Sequence, residues 1–81
     1  MWLFRPKPKF DVGQLVHLIS VLSMVSPRYM SIRRRRWIVP NGGTTRRWVY
    51  DGTIYEVQEG EMVWATYGSC WFEEHLAPIP E

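Results

Sequence analysis

The sequence lacks two features that define whole classes of protein, paired cysteines and a long hydrophobic run. Cys70 is its single cysteine, which excludes an internal disulfide framework and a cysteine-rich zinc site. The longest nearly apolar stretch, residues 15–25, is about half a membrane span and includes His17. We therefore expect no membrane-spanning segment. A chain of 81 residues also has room for one small domain and none for a two-domain enzyme with a deep cleft.

Acidic residues are nearly missing from the first part of the chain, and basic residues are missing from the last part. Residues 1–48 carry ten Lys and Arg against the one acid Asp11, whereas residues 49–81 carry seven acids and no Lys or Arg. The formal net charge of +2 is therefore the sum of about +9 in residues 1–48 and about −7 in residues 49–81. Such asymmetry indicates either a nucleic-acid or membrane face, or two halves that neutralise each other across neighbouring strands.

Short runs of β-branched and aromatic residues, separated by Gly, Asn and Pro, predict an all-β protein. Gly52 marks either a tight turn or a bulge in one bent strand, and we favour the bulge. Strands are predicted at residues 12–19, 28–39, 44–57, 61–67 and 70–72. Turns are predicted at residues 41–43, 59–60 and 68–69, with a loop at 20–27, a helical turn at 73–76 and an extended tail at 77–80. About five antiparallel strands with turns every eight to twelve residues favour a small barrel.

The first ten residues are predicted to be a flexible arm, because Pro6 and Pro8, which alternate with Lys, favour an extended chain. Trp2, Leu3 and Phe4 either pack on the domain, bind a partner or fray, and we favour fraying. The domain itself is then expected to cover residues 11–79.

Two stretches resemble the SH3-like barrel group, which includes KOW and Tudor-like domains and many small bacterial or phage modules. Residues 10–16, Phe-Asp-Val-Gly-Gln-Leu-Val, are similar to the opening of such barrels, and residues 68–76 are similar to their ending. Trp48-Val49-Tyr50 resembles their central strand. No Lys-Gly-x-x-Gly follows the first strand, so the chain departs from a true KOW motif. The resemblance implies an SH3-like barrel with a short C-terminal helical turn, acting as a cytoplasmic binding platform.

Catalytic and metal sites are not expected. Cys70 and His75 are five residues apart and could form a nucleophile and base pair, but nothing supplies a third member. Glu73, Glu74 and His75 are adjacent, so on a helical turn they point in different directions. We predict no enzyme activity and no cofactor.

Six arginines form a candidate basic binding face: Arg33, Arg34, Arg35, Arg36, Arg46 and Arg47. In a strand Arg33 and Arg35 point to one face and Arg34 and Arg36 to the other. A hairpin closed at residues 41–43 would place Arg34 and Arg36 opposite Tyr50 and Trp48, within reach of cation–π contacts. The arginines bind nucleic acid, bind an acidic protein, or pair with acids of the next strands, expected at Glu56, Glu59 and Glu61.

Aromatic side chains form the second candidate surface. Most are expected in the core, since a domain of this size has few other large residues to fill it. Others could line a peptide-binding groove. The candidate groove residues are Trp48, Tyr50, Trp64, Tyr67 and Trp71. The sequence thus predicts a non-catalytic module that binds another protein, with nucleic acid as the alternative partner, and leaves the oligomeric state open.

Overall fold

The computed structural model describes residues 5–19 and 27–80, and it contains five strands and a single 3₁₀ turn. The strands are β1 (Leu15–Leu18), β2 (Arg28–Ile38), β3 (Arg47–Gln58), β4 (Glu61–Phe72) and β5 (Leu76–Pro78), and the 3₁₀ turn Glu73–His75 directly precedes β5. All pairings are antiparallel, and the strand order in the sheet is β4-β3-β2-β1-β5. The predicted all-β class with a short C-terminal turn is confirmed.

One face of the sheet forms the core. Residues two apart along a strand share a face, so buried side chains alternate with more exposed ones. Each fully buried aliphatic side chain stabilises the fold by about 1.5–3 kcal/mol. The core cluster comprises Phe10, Val16, Leu18, Met30, Ile32, Trp48, Tyr50, Ile54 and Leu76.

The long hairpin of β3 and β4 follows the predicted turn at residues 59–60. Glu59 and Gly60 both have positive φ, 51° and 81°, and two such residues twist a turn to match the strands that it joins. Strand β3 is continuous across Gly52, as the bulge interpretation predicts.

The predicted turn at residues 68–69 is wrong, because β4 continues through it to Phe72. The pairing skips from Tyr50–Trp71 to Gly52–Gly68, so two residues of β4 bulge opposite Asp51. The bulge forms because the Ser69 hydroxyl and the Cys70 amide both turn toward the Asp51 carboxylate. Cys70 adopts a φ of 60° in doing so.

The predicted register of the β2–β3 hairpin is also wrong. Arg34 lies opposite Asp51 and Arg36 opposite Val49, one residue away from the expected partners Tyr50 and Trp48. Residues 39–46 form a longer loop rather than a turn centred on Gly42, so the strands meet with a different offset. The pairing also shifts by one residue at Arg33, between Ile32 and Arg34. Farther along the hairpin, Met30 therefore lies opposite Ile54, and both side chains are in the core.

The predicted N-terminal boundary of the domain differs from the structure, and so does the predicted tail. Phe10 is in the core and its carbonyl accepts a hydrogen bond from Arg35, so the domain begins before residue 11. The tail predicted after residue 76 is strand β5, which pairs with β1. The predicted Trp2-Leu3-Phe4 contact and most of the loop at residues 20–27 lie outside the described residues.

Candidate protein-interaction surface

Asp51 organises the arginine strand. It is the one charged residue of the described chain with a fully buried side chain. Its Oδ2 accepts hydrogen bonds from Arg34 Nε at 2.9 Å and Arg36 Nε at 2.8 Å. Its Oδ1 accepts from Arg36 Nη2, Ser69 Oγ and the Cys70 amide at 2.9–3.0 Å. A buried carboxylate is tolerated when its lone pairs are satisfied in this way.

The charge state of this cluster follows from those contacts. Burial disfavours the carboxylate, but hydrogen bonds from Arg36, the Cys70 amide, Arg34 and Ser69 outweigh burial and hold the pKa of Asp51 well below its usual range. The hydrogen bond to Asp51 also raises the pKa of Arg36. Asp51 and Arg36 therefore remain ionised at neutral pH.

The remaining arginines do not form one binding face. Arg35 Nη1 donates to Asp11 Oδ1 at 3.0 Å, and Arg47 pairs with Glu74 and lies 4.0 Å from the centre of the Phe72 ring. The hydrogen bond from Arg47 lowers the pKa of Glu74. Arg33 and Arg46 are exposed.

The arginine cluster thus pairs with acids, but the expectation of Glu56, Glu59 and Glu61 as partners is wrong. Glu56 pairs with Arg28 instead, at 3.0 Å. The alternation of Arg34 and Arg36 on one face was predictable from strand geometry. Their partner Asp51 was missed because the neutralising acids were expected at Glu56, Glu59 and Glu61.

The five candidate aromatic residues do not share a groove. Trp48 and Tyr50 are buried in the core, and Trp71 is half-buried against it. Trp64 and Tyr67 lie on the edge strand β4 and expose 66% and 53% of their surface. The predicted cation–π partners differ as well, because Trp48 lies beneath Arg5 at 5.4 Å.

Residues 5–10, predicted to belong to a flexible arm, dock on the buried aromatics. Trp48 Nε1 donates to the Pro6 carbonyl at 2.7 Å, and the Lys9 amide donates to Glu73 Oε2 at 2.8 Å. The Tyr50 hydroxyl donates to the same Glu73 oxygen at 2.6 Å. Burial, with this hydrogen bond, raises the pKa of Tyr50 to about 12. A cavity of about 220 Å³ remains between residues 6–7 and Trp37, Trp48, Arg47 and Glu73.

The sheet face opposite the core, here called the outer face, carries a row of aromatic rings. Residues paired across neighbouring strands lie on the same face. Trp64 pairs with Tyr55, Tyr55 with Tyr29, and Tyr29 with His17. The rings of His17 and Tyr29 are 5.3 Å apart. One row thus crosses four strands and ends at the most exposed tryptophan of the described residues.

The outer face also carries the Asp51 cluster, because Asp51 alternates with Thr53 and Tyr55 along β3 and pairs with Arg34 of β2. Next to the aromatic row, Met62 pairs with Val57 and is 45% exposed, and Tyr67 pairs with Thr53. The outer-face residues are Leu15, His17, Tyr29, Ser31, Arg34, Arg36, Ile38, Arg47, Val49, Asp51, Thr53, Tyr55, Val57, Met62, Trp64, Tyr67, Phe72 and Ala77. Sequence reasoning found Trp64 and Tyr67 but missed Tyr29, Tyr55 and His17. Alternation within each strand could have found the face, but only the register reveals the row.

The residues considered for nucleophilic chemistry have other contacts. Cys70 Sγ accepts a hydrogen bond from Arg36 at 3.2 Å. The His75 ring packs against Trp71 and Phe72.

No protein-family profile, curated protein or solved structure matches this chain. Across residues 5–19 and 27–80, no helix has the length and apolar character needed to cross a membrane.

Proposed function

We propose that this protein is a small, non-catalytic binding module, acting in the cytoplasm through protein–protein contact on its outer face. The observation that carries the proposal is the aromatic row that ends at exposed Trp64 on edge strand β4, with exposed Met62 and Tyr67 beside it. Protein interfaces are depleted in charged residues at their centre and enriched in Tyr, Trp and Met. A solvent-facing sheet surface ordinarily alternates to polar and charged residues, so this composition favours a partner.

We also propose an SH3-like barrel as the fold of this module. The 3₁₀ turn Glu73–His75, which directly follows β4, supports it, since the sequence resemblance implies a short C-terminal helical turn. The assignment bears on the fold alone, because SH3-like barrels support many functions.

The proposal is tested by placing a photo-crosslinking amino acid at Trp64 and, as a matched control, at exposed Asn41 in the β2–β3 loop. Each variant is irradiated in cells and its adducts are identified by mass spectrometry. We expect a discrete protein adduct from position 64 that position 41 does not give. Equal adducts from both positions, or adducts only with nucleic acid, would contradict the proposal.

Nucleic acid is the second candidate partner, and the exposure of three arginines favours it. Arg34 leaves 61% of its side chain exposed although its Nε pairs with Asp51. Arg33 and Arg46 are exposed as well. These guanidinium groups are free to contact phosphates, whereas Arg36 is tied into the Asp51 cluster by both Nε and Nη2.

A further inference from the structure

We infer that the protein partner of the outer face supplies an extended acidic segment, whose carboxylate pairs with Arg34 and whose apolar side chains pack on the aromatic row. The inference rests on the proposed function, because it names the chemistry of the partner on the same surface. Arg34 and Trp64 mark the two sides of the contact, a cation on β2 and an exposed ring on β4.

The charges of the outer face favour an acidic partner. The described strands place three arginines on this face, Arg34, Arg36 and Arg47, against the one acid Asp51. The side chain of Asp51 is fully buried, so no acid of these strands meets solvent on the outer face. Complementary charge directs which partner approaches a surface and in which orientation it binds.

Arg34 is already positioned to bind a carboxylate. Its Nε donates to the buried Asp51 Oδ2 at 2.9 Å, which fixes the guanidinium, and 61% of the side chain is exposed. Within the described part of the chain, its two Nη groups have no hydrogen-bond partner. The end of a guanidinium that carries both Nη groups matches the two oxygens of a carboxylate.

A pair of small side chains lies between Arg34 and the aromatic row. Ser31 pairs with Thr53, with the pair of Arg34 and Asp51 on one side and the aromatic row on the other. Along β3 the positions Asp51, Thr53 and Tyr55 follow at intervals of two residues, about 6.6 Å each. An extended segment laid across the strands at Ser31 and Thr53 directs successive side chains to opposite sides. Acidic side chains on one side then reach Arg34, and apolar side chains on the other reach the rings.

The availability of the arginines favours a carboxylate over a nucleic-acid backbone. Nucleic acids bind through several phosphates at once, and each needs a cation. On the outer face of the described strands, Arg34 exposes 61% of its side chain, Arg36 28% and Arg47 38%. Arg36 donates to Asp51 through both Nε and Nη2. Arg47 is paired with Glu74. One available guanidinium beside exposed apolar side chains matches one acid among apolar residues of a protein.

The test is selection of a random library of short peptides displayed on phage against the immobilised full chain, followed by fluorescence anisotropy of a selected peptide. We expect the selected peptides to share an Asp or Glu next to aromatic or aliphatic residues. The dissociation constant should rise at least about tenfold in Arg34→Gln and in Trp64→Ala, because each removes a central contact. The matched control Arg46→Gln changes an exposed arginine of the β2–β3 loop and should leave the constant within about threefold of wild type.

Replacing the acid of the selected peptide by its amide identifies the contact directly. The amide peptide should bind wild type as weakly as the acid peptide binds Arg34→Gln, and combining the two changes should add no further loss. Circular dichroism confirms that each variant is folded. If Arg34→Gln is not, Arg34→Lys repeats the test, because lysine keeps the charge and lacks the paired Nη donors.

A selection that yields no binding peptide, or peptides without an acid, overturns the inference. An acid whose replacement acts independently of Arg34, or an equal loss in Arg46→Gln, overturns it as well. In each of these cases a discrete protein adduct at position 64 leaves the proposed function standing. The same results without a protein adduct at position 64 overturn both.

Discussion

At the scale of single residues, Asp51 is the counter-ion for two neighbouring arginines of β2, Arg34 and Arg36. Two arginine side chains converge on one fully buried carboxylate, whereas the Arg28–Glu56 pair lies nearer to solvent. Exposed ion pairs contribute little to stability because water already solvates both ions. A buried charge that loses its partner is costly, because no water replaces the lost contact. The two pairs should therefore respond differently to neutralisation of the acid.

Asp51→Asn should lower the free energy of unfolding by about 3 kcal/mol, because Arg34 and Arg36 lose their counter-ion while the side-chain shape is kept. The matched control Glu56→Gln should cost about 0–1 kcal/mol. Urea unfolding of both variants measures the difference. Equal losses in the two variants would show that the Asp51 cluster is no more important than a surface pair.

The pKa of Asp51 also predicts how stability changes in acid. Because the pKa is lower in the folded protein than its value of about 3.9 in an unfolded chain, the unfolded state takes up this proton first. The stabilisation is therefore complete above about pH 4 and is lost as the pH falls further. Unfolding free energies measured from pH 7 to pH 2 should drop more steeply below pH 4 in wild type than in Asp51→Asn. Parallel curves would contradict this assignment.

At the scale of elements, the β2–β3–β4 sheet depends on a close backbone approach at Gly52. A Cβ atom at this position would lie 2.1 Å from the Ser31 carbonyl oxygen and 2.8 Å from Met30 Cγ. The carbonyl is part of the paired backbone of β2 and has no alternative rotamer. Gly52 also pairs with Gly68 of β4, next to the bulge that brings Ser69 and Cys70 to Asp51. A side chain at residue 52 would therefore disturb three strands together.

Gly52→Ala should lower the unfolding free energy by about 3 kcal/mol through this clash. The control Gly60→Ala meets no atom within 4 Å and bears only the strain of a positive φ, about 1 kcal/mol. Thermal melts of the two variants give the comparison. A Gly52→Ala protein as stable as Gly60→Ala would mean that β2 and β3 can separate locally at no cost.

At the scale of the whole molecule, the two oppositely charged parts of the chain largely neutralise each other. Arg28, Arg34, Arg36 and Arg47 pair with acids that lie at least fifteen residues later in the sequence. Arg35 pairs with Asp11. Most of these arginines are thus paired with acids of the same domain, and only part of the predicted basic face is left to contact a partner.

We expect no binding of a nonspecific single-stranded oligonucleotide at low salt, and a lower melting midpoint in Arg36→Gln because Asp51 loses two hydrogen bonds. The control Arg33→Gln changes an exposed side chain and should leave the midpoint unchanged. Binding with a log–log salt slope near about −2 would contradict this expectation. Such a slope corresponds to about three phosphate contacts, as Arg33, Arg34 and Arg46 together would make.

Local patterns in the sequence were sufficient for the all-β class, the turn at residues 59–60, the continuous strand through Gly52 and the helical turn before β5. These features depend on neighbouring residues, because strand alternation and turn conformations are short-range properties. The same patterns wrongly predicted a turn at residues 68–69, since a Gly-Ser pair is compatible both with a turn and with a bulge. The tail beyond Leu76 was misread because its partner β1 lies some sixty residues earlier.

The sequence by itself determined that arginines alternate along β2 and that Trp64 and Tyr67 are candidates for contact. Only the tertiary structure decided which acid neutralises the arginines and which aromatic residues share a face. A one-residue change of register exchanges the partners of every side chain in a hairpin. The register of this sheet depends on three bulges and an eight-residue loop. The bulge at Ser69–Cys70 contacts the buried carboxylate of Asp51 some eighteen residues earlier in the chain, and no local pattern encodes such a contact.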